Sequence, residues 1–189
     1  MSRIILASTS PRRKELLERA GIDFVVESFP IDEVMDESLP LEERMMKLAI
    51  EKAQPIHRKH PDEVVIGADT IVYFQDEVIG KAKNEVEARE ILKKLSGNQH
   101  QVYTGVAVYI DSQVHVFVEK TTVYFKNIED LLDDYIASGE WQGKAGAYGI
   151  QGAADCFVDH VEGDRDNVIG LPVKSLLYLL KKYNVIESH

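Results

Sequence analysis

The chain has 189 residues and a formal net charge of −10, with 44% hydrophobic and 29% charged residues. These proportions are ordinary for a soluble globular protein, the length suits one domain, and no apolar run approaches the roughly 20 residues a bilayer-spanning helix needs. The acidic balance argues against nucleic acid or an anionic membrane as the main partner, although a local cation cluster or a divalent metal still admits an anionic small molecule to one cleft.

The opening Met1–Ala7 has too few apolar residues for a signal-peptide core. The single Cys156 allows no internal disulfide, so a cytoplasmic location is expected. Arg3 to Ala7 reads as a short buried strand. Ser10 is a good N-cap and Pro11 suits the first position of a helix that Gly21 stops. Phe24 to Val26 is a second strand. Leu41 to Gln54 forms an amphipathic helix with Leu41, Met45 and Leu48 on one face, and Pro55 should end or kink it.

Val64 to Ile66 is a buried strand followed by Gly67-Ala68-Asp69-Thr70. Ile71 to Phe74 and Glu77 to Ile79 predict a hairpin around Gln75-Asp76. Asn84 caps a third helix with Ala88, Ile91, Leu92 and Leu95 on its apolar stripe. Two long strands, Gln101–Ile110 and Val114–Phe125, are rich in Val, Tyr and Thr. A short helix over Ile128 to Ala137, a glycine-rich stretch over Gly143 to Gly152, a strand over Phe157 to Val161 and a helix over Leu171 to Tyr183 complete the chain. The expected fold is α/β: a mixed, twisted sheet in two lobes with a central cleft, all within one domain of residues 1–189.

Several segments carry groups suited to chemistry. Ser8-Thr9-Ser10-Pro11-Arg12-Arg13-Lys14 joins a strand to a helix N-terminus, where free N–H groups and the helix dipole favour an anion. Ser8 adds a hydroxyl, and Arg12 and Arg13 add forked donors for phosphate oxygens. The plainer alternative is a solvated basic helix start. Asp69 stands beyond a buried strand, where open α/β sheets bind ligands. It can hold a divalent metal, orient water, or simply cap a turn. Asp32 and Glu33 supply metal ligands or merely an acidic loop.

Lys52 shares the apolar stripe of its helix, so it either snorkels or reaches toward an anion. Lys81 ends the hairpin and offers positive charge or plain surface. Gln151, in the glycine-rich stretch, can recognise a base edge as donor and acceptor. Cys156 is expected to be structural and buried. The six histidines have no metal-ligand spacing, and neither a Walker A motif nor G-x-G-x-x-G is present.

Taken in order, Leu6-Ala7-Ser8-Thr9-Ser10-Pro11-Arg12-Arg13, Asp32-Glu33, Glu51-Lys52-Ala53, Ile66-Gly67-Ala68-Asp69-Thr70, Gly80-Lys81, Leu95-Ser96-Gly97, Tyr103-Thr104-Gly105, Lys144 to Gly152 and Gly170-Leu171-Pro172 resemble the Maf family. Two positions depart from the family's usual pattern: Ala82 stands for Pro, and Gly143 for Asp. The resemblance implies a fold like that of inosine triphosphate pyrophosphatases and hydrolysis of a nucleoside triphosphate to monophosphate and pyrophosphate with Mg²⁺ or Mn²⁺. It implies Asp69 as catalytic base and metal ligand, Glu33 as a second metal ligand, and Ser8, Arg12, Arg13, Lys52 and Lys81 on the phosphates.

Arg12, Thr70 and Gln151 match the branch acting on dTTP and UTP, with Thr70 and Gln151 selecting the base. The resemblance further implies a homodimer, house-cleaning of nucleotide pools and a link to cell division. The alternatives are the same chemistry on 7-methyl-GTP or deaminated nucleotides, or a non-enzymatic nucleotide-binding regulator.

Overall fold

In the computed structural model, residues 3–187 are described, so Met1 and Ser2 of the opening segment lie outside the described residues. The strands are β1 (Ile4–Leu6), β2 (Val25–Val26), β3 (Val64–Phe74), β4 (Glu77–Ile79), β5 (Gln99–Ile110), β6 (Gln113–Phe125) and β7 (Val158–Glu162). They form one seven-stranded sheet in the order β2–β1–β3–β5–β6–β7, with β4 also paired to β3. β1 runs parallel to both β2 and β3. β4 is antiparallel to β3, and β7 to β6. The sheet is therefore mixed, as the alternation of helices and long neighbouring strands predicts.

β1 is buried throughout, which suits three consecutive aliphatic residues in a strand covered on both faces. Two tight turns set the register of the longer strands. Gln75 and Asp76 join β3 to β4 with φ of +48° and +63°, and Asp111 and Ser112 join β5 to β6 with +49° and +70°. Two consecutive left-handed residues give a turn whose twist matches that of the flanking strands.

The helices are α1 (Pro11–Arg19), α2 (Leu41–Lys59), α3 (Glu85–Leu95), α4 (Leu132–Ser138), α5 (Arg165–Ile169) and α6 (Val173–Lys182). Ser10 and Asn84 cap α1 and α3, accepting from the backbone N–H of Arg13 and Glu87. Gly21 follows α1 with φ +77°.

Three expectations are corrected, and one helix appears where none was expected. Pro55 does not end its helix, because α2 continues to Lys59. A proline inside a helix costs about 3 kcal/mol, but Ile56 beyond it is 2% exposed within the core, worth roughly 1.5–3 kcal/mol. His57 adds a ring stack on Tyr109 at 4.0 Å. β3 does not stop at Ile66 but runs on through Asp69 to Phe74, so Asp69 lies inside a strand. Cys156 is exposed, in a short 3-10 turn, not buried. The five-residue α5 falls in a stretch too short and polar to show a helical stripe.

The chain divides into two compact units. The first holds the described residues through Asp69, Thr104–Glu119, and those from Gly170 onward; the second holds Thr70–Tyr103 and Lys120–Ile169. In the first, Ile5, Ala7, Ala49, Ala53, Ile56, Val65, Ala107 and Tyr109 share one core. In the second, Phe157 packs edge-on to Phe125 and Tyr135, at centroid distances of 5.9 and 4.9 Å.

Candidate active site

The first unit gathers most of the charged groups singled out from the sequence. Side chains two apart on a strand share a face, so Gly67 and Asp69 of β3 face the same way. A side chain at Gly67 would stand 2.7 Å from the carbonyl oxygen of Ala49 and 2.8 Å from Cβ of Ala53. The absence of a side chain at Gly67 thus lets α2 approach the backbone of β3. Lys52 lies between Ala49 and Ala53 on that helix, and its Nζ reaches Asp69 Oδ1 at 2.5 Å and Glu33 Oε1 at 3.0 Å.

Asp69 is 6% exposed; Glu33, on a loop, keeps 54% of its side chain in solvent. Lys52 therefore does not snorkel along its apolar stripe; it links two carboxylates. Asp32, the other acid of its pair, instead lines an open groove with Met35, Lys47 and Glu51.

At the N-terminus of α1, Ser8 Oγ accepts from the Ser10 backbone N–H at 3.1 Å and from Arg13 Nη1 at 3.3 Å. Arg13 Nε donates to the Gly170 carbonyl at 2.7 Å. Burial pulls the Arg13 pKa below its ordinary value, while Asp69 pushes it back up, Arg12 adds to the lowering, and Glu33 raises it. Arg12 is half-buried, and burial lowers its pKa too. A guanidinium stays cationic at neutral pH even so. The first unit thus holds Ser8, Arg12, Arg13, Glu33, Lys52 and Asp69, three cations and two carboxylates, with both carboxylates close enough to Arg13 to raise its pKa.

The remaining candidates belong to the second unit. Thr70 follows Asp69 on β3 and is partly exposed. Lys81 is exposed, and its backbone bridges to Ala145, while the Gly146 N–H donates to the Gly80 carbonyl at 3.1 Å. The hairpin end and the glycine-rich stretch, far apart in sequence, are therefore neighbours. Gly146 has φ +71°, and a side chain there would also meet Val72 at 2.8 Å, so glycine is required twice over. Lys144 Nζ donates to the Glu140 carbonyl at 2.5 Å. Gln151 is exposed.

Sequence reasoning missed two contributors. Gly170 supplies the carbonyl that fixes Arg13, with φ +140°; only the glycine before Leu171-Pro172 hinted at a special backbone. Gly105 lets α2 lie against β5, since a side chain there would overlap the Met45 carbonyl. A glycine inside a strand pattern is the signal for such an approach.

Two carboxylate oxygens aimed at one ammonium form a hard, anionic donor pair. Such a pair suits Mg²⁺ or Mn²⁺, which bind one or two carboxylates and take their other ligands from water and phosphate. Among the described residues, no group of three or more His, Cys, Asp or Glu side chains is placed to hold a metal unaided. No helix among the described residues is long and apolar enough to cross a membrane.

Fold and site together define a mixed α/β protein that holds cations and a carboxylate pair around the N-terminus of a helix. The family described as Maf-like protein matches residues 3–183. A dTTP/UTP pyrophosphatase of Bacillus cereus (strain ATCC 10987 / NRS 248) is 44% identical, the match covering 100% of this chain and 94% of that protein. A dTTP/UTP pyrophosphatase of Bacillus anthracis is 43% identical over the full length of both. A solved HAM1 protein from Coxiella burnetii is similar at a TM-score of 0.44, with 15% identity over 66% of this chain and 73% of that one. The chain belongs to the Maf-like protein family.

Proposed function

We propose that the chain is a dTTP/UTP pyrophosphatase, hydrolysing either triphosphate to its monophosphate and pyrophosphate. The observation that carries the chemistry is the convergence of Asp69 and Glu33 on the Lys52 ammonium, in the unit that also holds Ser8, Arg12 and Arg13. The full-length likeness to dTTP/UTP pyrophosphatases supports the choice of base.

In this reading Arg12, Arg13 and the N-terminus of α1 bind the triphosphate, with Ser8 holding the Arg13 fork in place and adding its hydroxyl. Glu33 and Asp69 hold Mg²⁺ or Mn²⁺. When bound, the cation supplies charge neutralisation on the phosphoryl oxygens. Asp69 takes the proton of a water as its oxygen bonds to the α-phosphorus. The bond from the α-phosphorus to the bridging oxygen breaks, and the electron pair leaves with pyrophosphate. Catalysis comes chiefly from positioning and from fixed positive charge.

Lys52 and Lys81 add positive charge to the phosphates, and Thr70 and Gln151 select the pyrimidine. The enzyme works in the cytoplasm as a homodimer, clearing nucleotide pools, which links it to cell division. Exposed Val25, Val26 and Phe29, on and beyond the edge strand β2, support self-association.

The test is a panel of canonical and modified nucleoside triphosphates with Mg²⁺ or Mn²⁺, measuring pyrophosphate against phosphate. Pyrophosphate released preferentially from dTTP and UTP is the expected result. Release from 7-methyl-GTP or ITP instead would keep the reaction and reject the base. Nucleotide bound with no product would make the protein a regulator.

A further inference from the structure

Lys52 holds a position that phosphate binding alone does not explain. Its ammonium touches both carboxylates assigned above to the metal, at 2.5 Å from Asp69 and 3.0 Å from Glu33. It is delivered there by a stretch of α2 pressed against β3 at Gly67. The lysine side chain is 17% exposed and that of Asp69 9%, while Glu33 is half in solvent. Two nearby carboxylates repel each other unless a cation lies between them, and burial strengthens that repulsion. Lys52 meets this need with a cation that belongs to the chain.

We propose that Lys52 is a resident counter-cation that competes with the divalent metal for Asp69 and Glu33. A cation coordinated by both carboxylates displaces the ammonium, and the flexible four-carbon stem lets the ammonium turn to the triphosphate. The inference rests on the reading of Glu33 and Asp69 as metal ligands. Its consequence is coupling. Without nucleotide, metal must displace Lys52 with no anion to receive the lysine. With nucleotide, the phosphates ligate the metal and accept the lysine together. Each ligand then tightens the other by the same factor, as linkage requires.

The test is Mn²⁺ binding to the nucleotide-free protein, followed by the electron paramagnetic resonance of free Mn²⁺, with thermal melts to confirm folding. Lys52→Met should bind Mn²⁺ more tightly than the wild-type chain, within the about 5–150-fold span typical of coupled sites. Lys52→Gln should follow it, and Lys52→Arg, which keeps the charge, should not. The gain should persist in 1 M salt, because the contacts are no longer than the screening length of about 3 Å there. A non-hydrolysable triphosphate should tighten Mn²⁺ binding more in the wild-type chain than in Lys52→Met.

If Lys52→Met binds no tighter while Asp69→Asn abolishes binding, the lysine is no competitor and the metal ligands stand. A gain that vanishes in salt would show long-range repulsion and overturn displacement. Binding indifferent to both Asp69→Asn and Glu33→Gln would remove the ligand assignment and this inference with it.

Discussion

Each unit of the molecule buries polar side chains, and the two treat them in opposite ways. In the first, charge is retained: Arg13 and Asp69 are both buried, yet each has opposite charge nearby, and Glu33 leaves the cluster open to solvent. In the second, burial has removed charge. His100 Nε2 lies 2.6 Å from the hydroxyl of Tyr148, both side chains are buried, and the Tyr135 hydroxyl donates to the Ala147 carbonyl. Burial pushes the His100 pKa down to about 3 and pushes both tyrosines up, so all three stay neutral. A buried ion pair gives little net stability, so the first cluster is better explained by reactivity. The neutral cluster fixes the shape of the glycine-rich stretch.

The largest expected effect tests whether charge in the first cluster is there for chemistry. Asp69→Asn keeps the shape and removes the charge, so turnover should fall at least ~100-fold, as for loss of a general base. Folding should survive, because Lys52 retains Glu33. Wild-type rates of pyrophosphate release in this variant would deny Asp69 its role. The next effect concerns how the cluster is assembled. Gly67→Ala places a methyl group within 3 Å of the α2 backbone, and such overpacking typically costs about 1–3 kcal/mol. A lower denaturant midpoint together with lost activity is expected; an unchanged midpoint would show that α2 yields easily and does not fix Lys52.

The same contrast explains what was legible in the sequence. Ser10, Pro11 and Gly21 announced α1, and Asn84 announced α3, because capping is local chemistry. The mixed α/β class followed from periodicity. Pro55 misled because the burial of Ile56 and the stack of His57 on Tyr109 are tertiary terms with no local signature. Asp69 was found as a chemical group, but its strand was cut short at Ile66, whereas Gly67 lies inside the strand as a contact point for α2. The charged set was visible as unusual residues in an acidic chain, whereas the link of Lys52 to Asp69, seventeen residues away, required the fold. The pairing of Gly80-Lys81 with Ala145-Gly146 was hidden for the same reason, as was the neutral His100 cluster, which no spacing reveals.

The neutral cluster makes a prediction of its own, opposite in sign to what a histidine held charged by a carboxylate would give. The folded pKa of His100 lies near 3, below the ordinary value of 6.5, so from pH 6.5 downward the unfolded chain takes up a proton that the folded chain refuses. Stability from this group is complete above 6.5 and is lost as pH falls toward 3, at roughly 1.4 kcal/mol per pH unit. His100→Gln keeps a hydrogen-bonding side chain beside Tyr148 and does not titrate. Its unfolding free energy should fall less steeply between pH 6 and 4 than that of the wild-type chain. Parallel slopes would mean that His100 is protonated in the fold.

The smallest expected effect separates two neighbouring hydroxyls at the start of α1. Ser10 Oγ accepts from the Arg13 backbone N–H and serves the helix; Ser8 Oγ accepts from the Arg13 guanidinium and serves the site. Loss of an N-cap typically costs about 1 kcal/mol, so Ser10→Ala should lower the melting temperature while leaving kcat near that of the wild-type chain. Ser8→Ala should do the reverse, raising KM through a loosened Arg13 with less change in melting. If both variants lost stability and neither lost affinity, the hydroxyl at Ser8 would be a second structural cap, and the anion site would rest on the backbone and the arginines alone.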